Sequence, residues 1–201
     1  MIKNKLFIIT GAEGAGKTLV ITELEKIIPF YWINYFSTRA TGEKGFQKTD
    51  WQSFQKMAES DQFVLSFKKR DYLVGVTYDE IKKADLSGKP IIWEVDAKWA
   101  EDIKNEYPNA IVILVNGIEV EDLYRHFESQ GHAIPAAIAI QAQRSDKINK
   151  SWHQGVNYIV ENKKGESAKA AQSLKEIIEK YASNQQFLDQ QKRDPNLSRP
   201  I

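Results

Sequence analysis

The sequence predicts an α/β fold in which a five-stranded parallel sheet is flanked by helices. Three observations predict it. Short apolar runs without polar alternation, Leu6–Ile9 and Ala110–Val115, have the pattern of strands buried on both faces. Segments with helical apolar spacing separate these runs, the alternation expected of a parallel sheet with helices on both sides. A glycine-rich turn joins the first strand to the first helix.

In chain order, Leu6–Thr10 is the first strand. Residues 17–28 space Val20, Leu24, Ile27 and Ile28 along one helical face, and Pro29 stops that helix. Tyr31–Thr38 is aromatic-rich and reads as a second strand, with Phe30-Tyr31-Trp32 packing the core at its entry. Residues 40–90 are more irregular and polar, with strand-like pieces at 63–67 and 72–77 and helical pieces at 50–59 and 78–85. Regular alternation returns with a strand over 91–96, a helix over 97–107 and the strand 110–115. Helical stretches at 119–130 and 134–149, a strand at 156–161 and a helix at 166–182 follow. Residues 184–201 are polar, carry Gln pairs and two prolines, and read as a flexible tail.

The 201 residues fit one domain with small inserted lobes. A net charge of +1 provides no broad basic field for nucleic acid or an acidic membrane surface. With no cysteine, disulfides, thiol catalysis and Cys-ligated metals are excluded, which suits a cytoplasmic location. No apolar run approaches the roughly 20 residues that span a bilayer. His126, His132 and His153 fit no zinc spacing.

The turn after the first strand is Gly11-Ala12-Glu13-Gly14-Ala15-Gly16-Lys17-Thr18, a full match to G-x-x-x-x-G-K-[ST]. The glycines let backbone N–H groups turn inward around phosphate oxygens, and the helix that follows aims its positive end at the same anion. Lys17 supplies a cation for the β- and γ-phosphates, and Thr18 a hydroxyl for Mg²⁺. The strand-loop-helix setting marks a P-loop NTPase fold with ATP and Mg²⁺ as ligands. Asp96 ends a later strand, where strand termini of such sheets converge on ligand, and is a second metal candidate.

Ser37-Thr38-Arg39, Gly42-Glu43, Gly45-Phe46, Phe54, Phe63 and Gly75-Val76-Thr77, in that order and spacing, resemble the guanylate kinase family of nucleoside-monophosphate kinases. Val95-Asp96, Leu123 through Gln141, and Tyr158–Asn162 are similar to that family's later segments, so the resemblance covers about residues 4–183. It implies one kinase domain: a core (1–35, 91–125, 151–183), a small mixed acceptor-binding insert (36–90) and a helical lid (126–150). It further implies that Arg39 grips the acceptor phosphate and that Ser37, Glu43, Phe46, Ser66, Thr77, Glu94 and Asp96 line the acceptor site. Asn162 joins the nucleotide site. Arg39 suits its part because a guanidinium donates paired hydrogen bonds to phosphate.

The sequence departs from the family pattern. The second phosphate-binding Arg has no counterpart, the phosphate-binding Tyr is Phe46, and the guanine-reading Glu falls at Leu65 or Ser66. His126, Gln130 and Gln141 stand where the lid carries arginines, and Arg144, nearly one helical turn from a vacated position, is the candidate replacement. Phe63–Phe67 with Leu73–Val76 is also similar to ribose 1,5-bisphosphokinase, which reads no guanine. Lys68-Lys69-Arg70 reads as a solvated turn, placed in the insert where it can draw an anionic substrate. The expected activity is transfer of the γ-phosphate of ATP to a phosphorylated acceptor by Lys17, Arg39, Asp96 and Arg144, with the protein a monomer or homodimer. The alternatives are a sugar-phosphate kinase and a catalytically weak ATP- or partner-binding module.

Overall fold

The computed structural model describes residues 5–12, 14–39, 42, 44–69, 71–117 and 156–193, with side chains to 181. The lid segment 126–150, with Arg144, and the candidates Glu13 and Glu43 lie outside the described residues.

Among the described residues, nine strands form two sheets. The larger has the order β2-β7-β1-β8-β9 (Tyr31–Trp32, Ile91–Glu94, Leu6–Thr10, Ile111–Asn116, Tyr158–Glu161). β1 and β2 both pair with β7 in parallel, and β8 with β9 in parallel. The smaller, mixed sheet has the order β4-β3-β6-β5 (Phe46–Lys48, Tyr35–Ser37, Tyr72–Thr77, Phe63–Lys69). The chain clusters into two compact units, Met1–Thr10 with Pro29–Val112 and Gly11–Ile28 with Ile113–Ile201.

In the first unit, every residue of β1 is buried, as are Ile91, Ile92 and Trp93 of β7. Such burial on both faces is why these runs are apolar without alternation. In the insert, α2 (Trp51–Glu59) contacts β5 and α3 (Tyr78–Leu86) contacts β6. Asp50 caps α2 by accepting from the Ser53 N–H, and Thr77 caps α3 by accepting from the Glu80 N–H. Phe54 of α2 stacks on Phe63 of β5 with ring centroids 4.5 Å apart. α4 (Ala97–Glu106) follows β7 and buries Ala97, Ala100 and Ile103 at helical spacing.

In the second unit, α1 (Lys17–Glu25) packs against a long C-terminal helix, α5 (Ser167–Arg193). α1 buries Val20, Ile21 and Leu24, and α5 buries Ala170, Ala171, Leu174 and Ile178. The small alanines let the helices approach closely.

Besides the unforeseen strand β4, four elements differ from the sequence expectation. The first helix ends at Glu25, three residues early, and leaves Ile27 43% exposed instead of in the core face. The aromatic run 31–38 is two strands in two sheets, β2 and β3, broken at Ile33-Asn34. Lys68 and Lys69 extend β5 rather than forming a turn. The last helix runs through the Gln-rich segment to Arg193, eleven residues past its expected end, because Gln, Lys, Leu and Ala favour helix even without an apolar face.

Candidate functional site

The phosphate loop is fully contained in the second unit. Gly14 and Gly16 hold φ of 87° and 79°, a left-handed backbone that any Cβ disfavours. Gly16 is the N-cap of α1 and offers no side-chain cap, and the first turn carries no acidic residue. The N–H groups at a helix start of this kind favour an anion. Gly11 is needed for a different reason: a Cβ there would sit 2.3 Å from the Val115 carbonyl oxygen.

Two side chains brace the loop from within. Lys17, only 7% exposed, donates through Nζ to the carbonyls of Gly11 and Ala12, both at 3.0 Å. Its ammonium thus lies under the curve of the loop, where phosphate oxygens would add to its contacts. Asn162, buried just past β9, donates Nδ2 to the Ala15 carbonyl at 2.8 Å, and its own N–H donates to the Asn116 carbonyl at 2.7 Å. Its amide would collide with a Cβ at Gly16, which would lie 2.3 Å from Nδ2. Asn162 therefore fixes the loop that holds the nucleotide. Sequence reasoning missed Gly117, which abuts the same spot: its Cβ would fall 2.3 Å from the Ala15 Cα. A glycine directly after a buried strand was the available signal. Thr18 is exposed at the start of α1, as a hydroxyl offered to a metal needs to be. Ala15 is buried beside it.

The insert, within the first unit, contributes a second cluster. Strand register sorts its side chains onto two faces, since directly opposed residues share a face and neighbours alternate. Tyr35 opposes Phe46, Ser37 opposes both Lys48 and Val74, Phe67 opposes Val74, Leu65 opposes Val76 and Lys69 opposes Tyr72. These residues form one face. Phe36, Gln47, Gly75, Ser66 and Thr77 form the other.

The first face is tied to the end of β7. The Trp93 indole N–H donates to the Tyr35 hydroxyl at 2.9 Å, and that hydroxyl donates to the Glu94 carbonyl at 2.7 Å. Burial pushes the Tyr35 phenol far above its ordinary range, so it stays a neutral donor. Phe46 stacks on the Tyr35 ring at 5.3 Å. Phe67 stacks on Trp99 of α4 at 4.7 Å, and the Lys69 ammonium lies 3.9 Å from an Asp96 carboxylate oxygen.

Asp96 occupies the N-cap position of α4 yet makes no cap hydrogen bond. An N-cap Asp ordinarily bonds an amide of the first turn and contributes about 1 kcal/mol by doing so. Here the carboxylate forgoes that bond and lies toward Lys69 instead. Arg39 is exposed, 3.7 Å from Asp71, with its guanidinium 5.4 Å from the centroid of the Tyr72 ring.

The structure thus brings Arg39, Phe46, Glu94 and Asp96 to one side of the insert. Three other sequence candidates are placed differently. Ser37 is fully buried on that same face, and its hydroxyl closes a turn by donating to the Arg39 carbonyl and accepting from the Arg39 N–H. Thr77 is spent on capping α3. Ser66 and Thr77 both belong to the opposite face, where a cavity of about 380 Å³ is lined by Thr77, Asn34, Gln47, Asp61 and Glu80 among others. Of the two residues between which the sequence could not choose, it is Leu65 that shares the face of Phe46, and Leu65 is buried.

No family model matches the chain. Among curated proteins it is similar to the guanylate kinase of Thermotoga maritima, with 25% identity over 174 residues covering 83% of each chain. The guanylate kinase of Photorhabdus laumondii is 27% identical over 140 residues, which cover 65% of this chain and 67% of that one. Among solved structures, a guanylate kinase from Anaplasma phagocytophilum superposes with a TM-score of 0.64 at 14% identity, covering 89% of this chain and 86% of that one. The fold agrees with that of this neighbour, and the sequence relatives add the class of chemistry. The chain is similar to guanylate kinases in sequence and shares the fold of one of them, which supports a guanylate kinase-like, ATP-dependent phosphotransferase.

Proposed function

We propose that this chain transfers the γ-phosphate of ATP to a nucleoside monophosphate. The observation that carries this reading is the braced phosphate loop: Lys17 beneath it, Asn162 and Gly117 against Ala15, and an uncapped helix start facing outward. A loop that had lost its nucleotide would have no physical need for this set of close approaches. The similarity to guanylate kinases supports a phosphorylated nucleoside as the acceptor.

In this reading, the loop amides and Lys17 bind the triphosphate, and Thr18 offers its hydroxyl to Mg²⁺, which neutralises charge on the phosphates. Arg39 orients the acceptor phosphate, and Asp96 orients the acceptor or a water of the metal. Phosphoryl transfer depends chiefly on positioning and charge stabilisation, so these side chains need supply no covalent chemistry. Arg144 is the proposed lid cation.

A second reading, a sugar-phosphate acceptor, is favoured by one feature. Leu65 provides no carboxylate on the acceptor face, so guanine's N–H groups find no acceptor there. An ADP-release assay with ATP and Mg²⁺ separates the two. A panel of GMP, dGMP, AMP, CMP, UMP, dTMP and ribose 1,5-bisphosphate is compared, with Lys17→Ala as control. A nucleotide-dependent signal lost in the variant supports the first reading, and a signal with the bisphosphate alone replaces it with the second. No acceptor-dependent signal, in protein that binds ATP by calorimetry, removes both in favour of a binding module.

A further inference from the structure

The Lys68-Lys69-Arg70 run acquires a definite geometry in the fold. Lys68 opposes Leu73 and Lys69 opposes Tyr72, so the two lysines emerge on opposite faces of the small sheet. Lys69 lies on the face of Phe46, Phe67 and Tyr35, and Lys68 does not. Around Lys69 on this side stand three more cations: Arg39 beside the Tyr72 ring, Lys48 opposite Ser37, and Lys98, whose ammonium is 4.8 Å from the centre of Trp99 and 5.6 Å from that of Phe67.

Two of the acids on this side approach these cations. Asp71 stands 3.7 Å from Arg39 and Asp96 3.9 Å from Lys69, both near the outer limit of an ion pair. All four side chains are substantially exposed, the least of them 36%. Exposed pairs of this kind contribute little, so an incoming anion displaces them at small cost. A dianion bonded directly to two of these cations has a stronger, charge-assisted alternative to offer.

We propose that Lys69 is an acceptor-binding residue which, with Arg39, forms a subsite for a phosphate monoester dianion. This rests on the phosphotransferase reading and extends it by naming a residue on β5 as the second cation. Asp96 then has a defined part in the ligand-free protein, holding the Lys69 ammonium on the ligand-facing side until phosphate takes it over. The Phe67–Trp99 stack holds β5 against the start of α4 and fixes the distance between the two charges.

The test uses amide chemical-shift titration of the full chain carrying Lys17→Ala, so that phosphate binding at the P-loop does not contribute. GMP and ribose 5-phosphate are the probes, and guanosine is the control without phosphate. The expected result is that at least one phosphate ester shifts the amides of Phe67, Lys69, Tyr72 and Arg39, and guanosine does not. Adding Lys69→Met weakens that binding about tenfold or more, and Lys69→Arg keeps it within about threefold. A thermal melt checks that each variant is folded. Shifts that are absent with both esters, or an affinity unchanged by Lys69→Met, overturn the proposal. Failure of the kinase reading looks different: these shifts persist, and the protein with Lys17 intact releases no ADP with any acceptor.

Discussion

The side-chain amide of Asn162 donates to the carbonyl of Ala15 at 2.8 Å across 147 residues of sequence. This bond clamps the middle of the phosphate loop to the end of β9. It leaves no room at Gly16 for any side chain.

Asn162→Ala removes the clamp and leaves a buried carbonyl without that partner. The loss of one such bond is worth about 1 kcal/mol, more when the remaining group stays desolvated. ATP affinity is expected to fall about five- to tenfold by calorimetry with the fold intact. An unchanged affinity would show that the loop holds its shape without Asn162.

Gly117→Ala places a methyl 2.3 Å from the Ala15 Cα, a backbone atom that cannot rotate away. Overpacking of this kind costs about 1–3 kcal/mol. A lower melting temperature and a loss of ATP binding larger than that of Asn162→Ala are expected. A variant with native melting and native affinity would disprove the close approach.

Asp96→Asn separates function from stability. The carboxylate makes no cap bond on α4 and only a 3.9 Å contact with Lys69, so little folding energy resides in it. Acceptor-dependent turnover should drop about 100-fold or more, as removal of a positioning or metal-orienting group does, while the melting temperature moves by about two degrees at most. A large loss of stability with turnover preserved would make Asp96 a structural residue.

Stability should decline in alkali. Burial pushes the Tyr107 phenol up to about 12, and burial raises Tyr35 further. Between the ordinary phenol pKa, about 10, and the raised values, the unfolded chain loses these protons while the folded chain keeps them. The contribution of the neutral phenols is complete below pH about 10 and is lost progressively above it, for Tyr107 up to about 12. Urea denaturation from pH 9 to 12 should show the decline, and Tyr107→Phe should lessen its slope. A flat profile would mean that neither phenol is shielded.

The phosphate loop, β1, β7 and β8 were legible because their constraints are local: consecutive buried apolar residues, and glycines at positions where backbone must approach ligand or backbone. β4 was not legible. Phe46-Gln47-Lys48 is an edge strand with its last two residues exposed, and its partner β3 lies across a turn. The insert's site was half legible. Order and spacing singled out Arg39, Phe46 and Asp96 as candidates, but the face on which a residue emerges depends on register. The pairing of β5 with β6 shifts between Phe63 and Leu65, so counting alone could not separate Leu65 from Ser66. Nor could it show that Thr77 and Ser37 would be taken up by a helix cap and a turn. Lys69 was visible as a charge but not as a direction.

Lys17 holds two carbonyl oxygens of its own loop. The loop's backbone serves as a stand-in for the guest, keeping a buried cation from going unsolvated. On the proposed function, nucleotide capture would be a trade of oxygens around an ammonium already in place, not the recruitment of a wandering charge. The side-chain entropy of that lysine was surrendered when the protein folded. On that reading, affinity for the triphosphate would reflect the difference between two sets of oxygen ligands around Lys17.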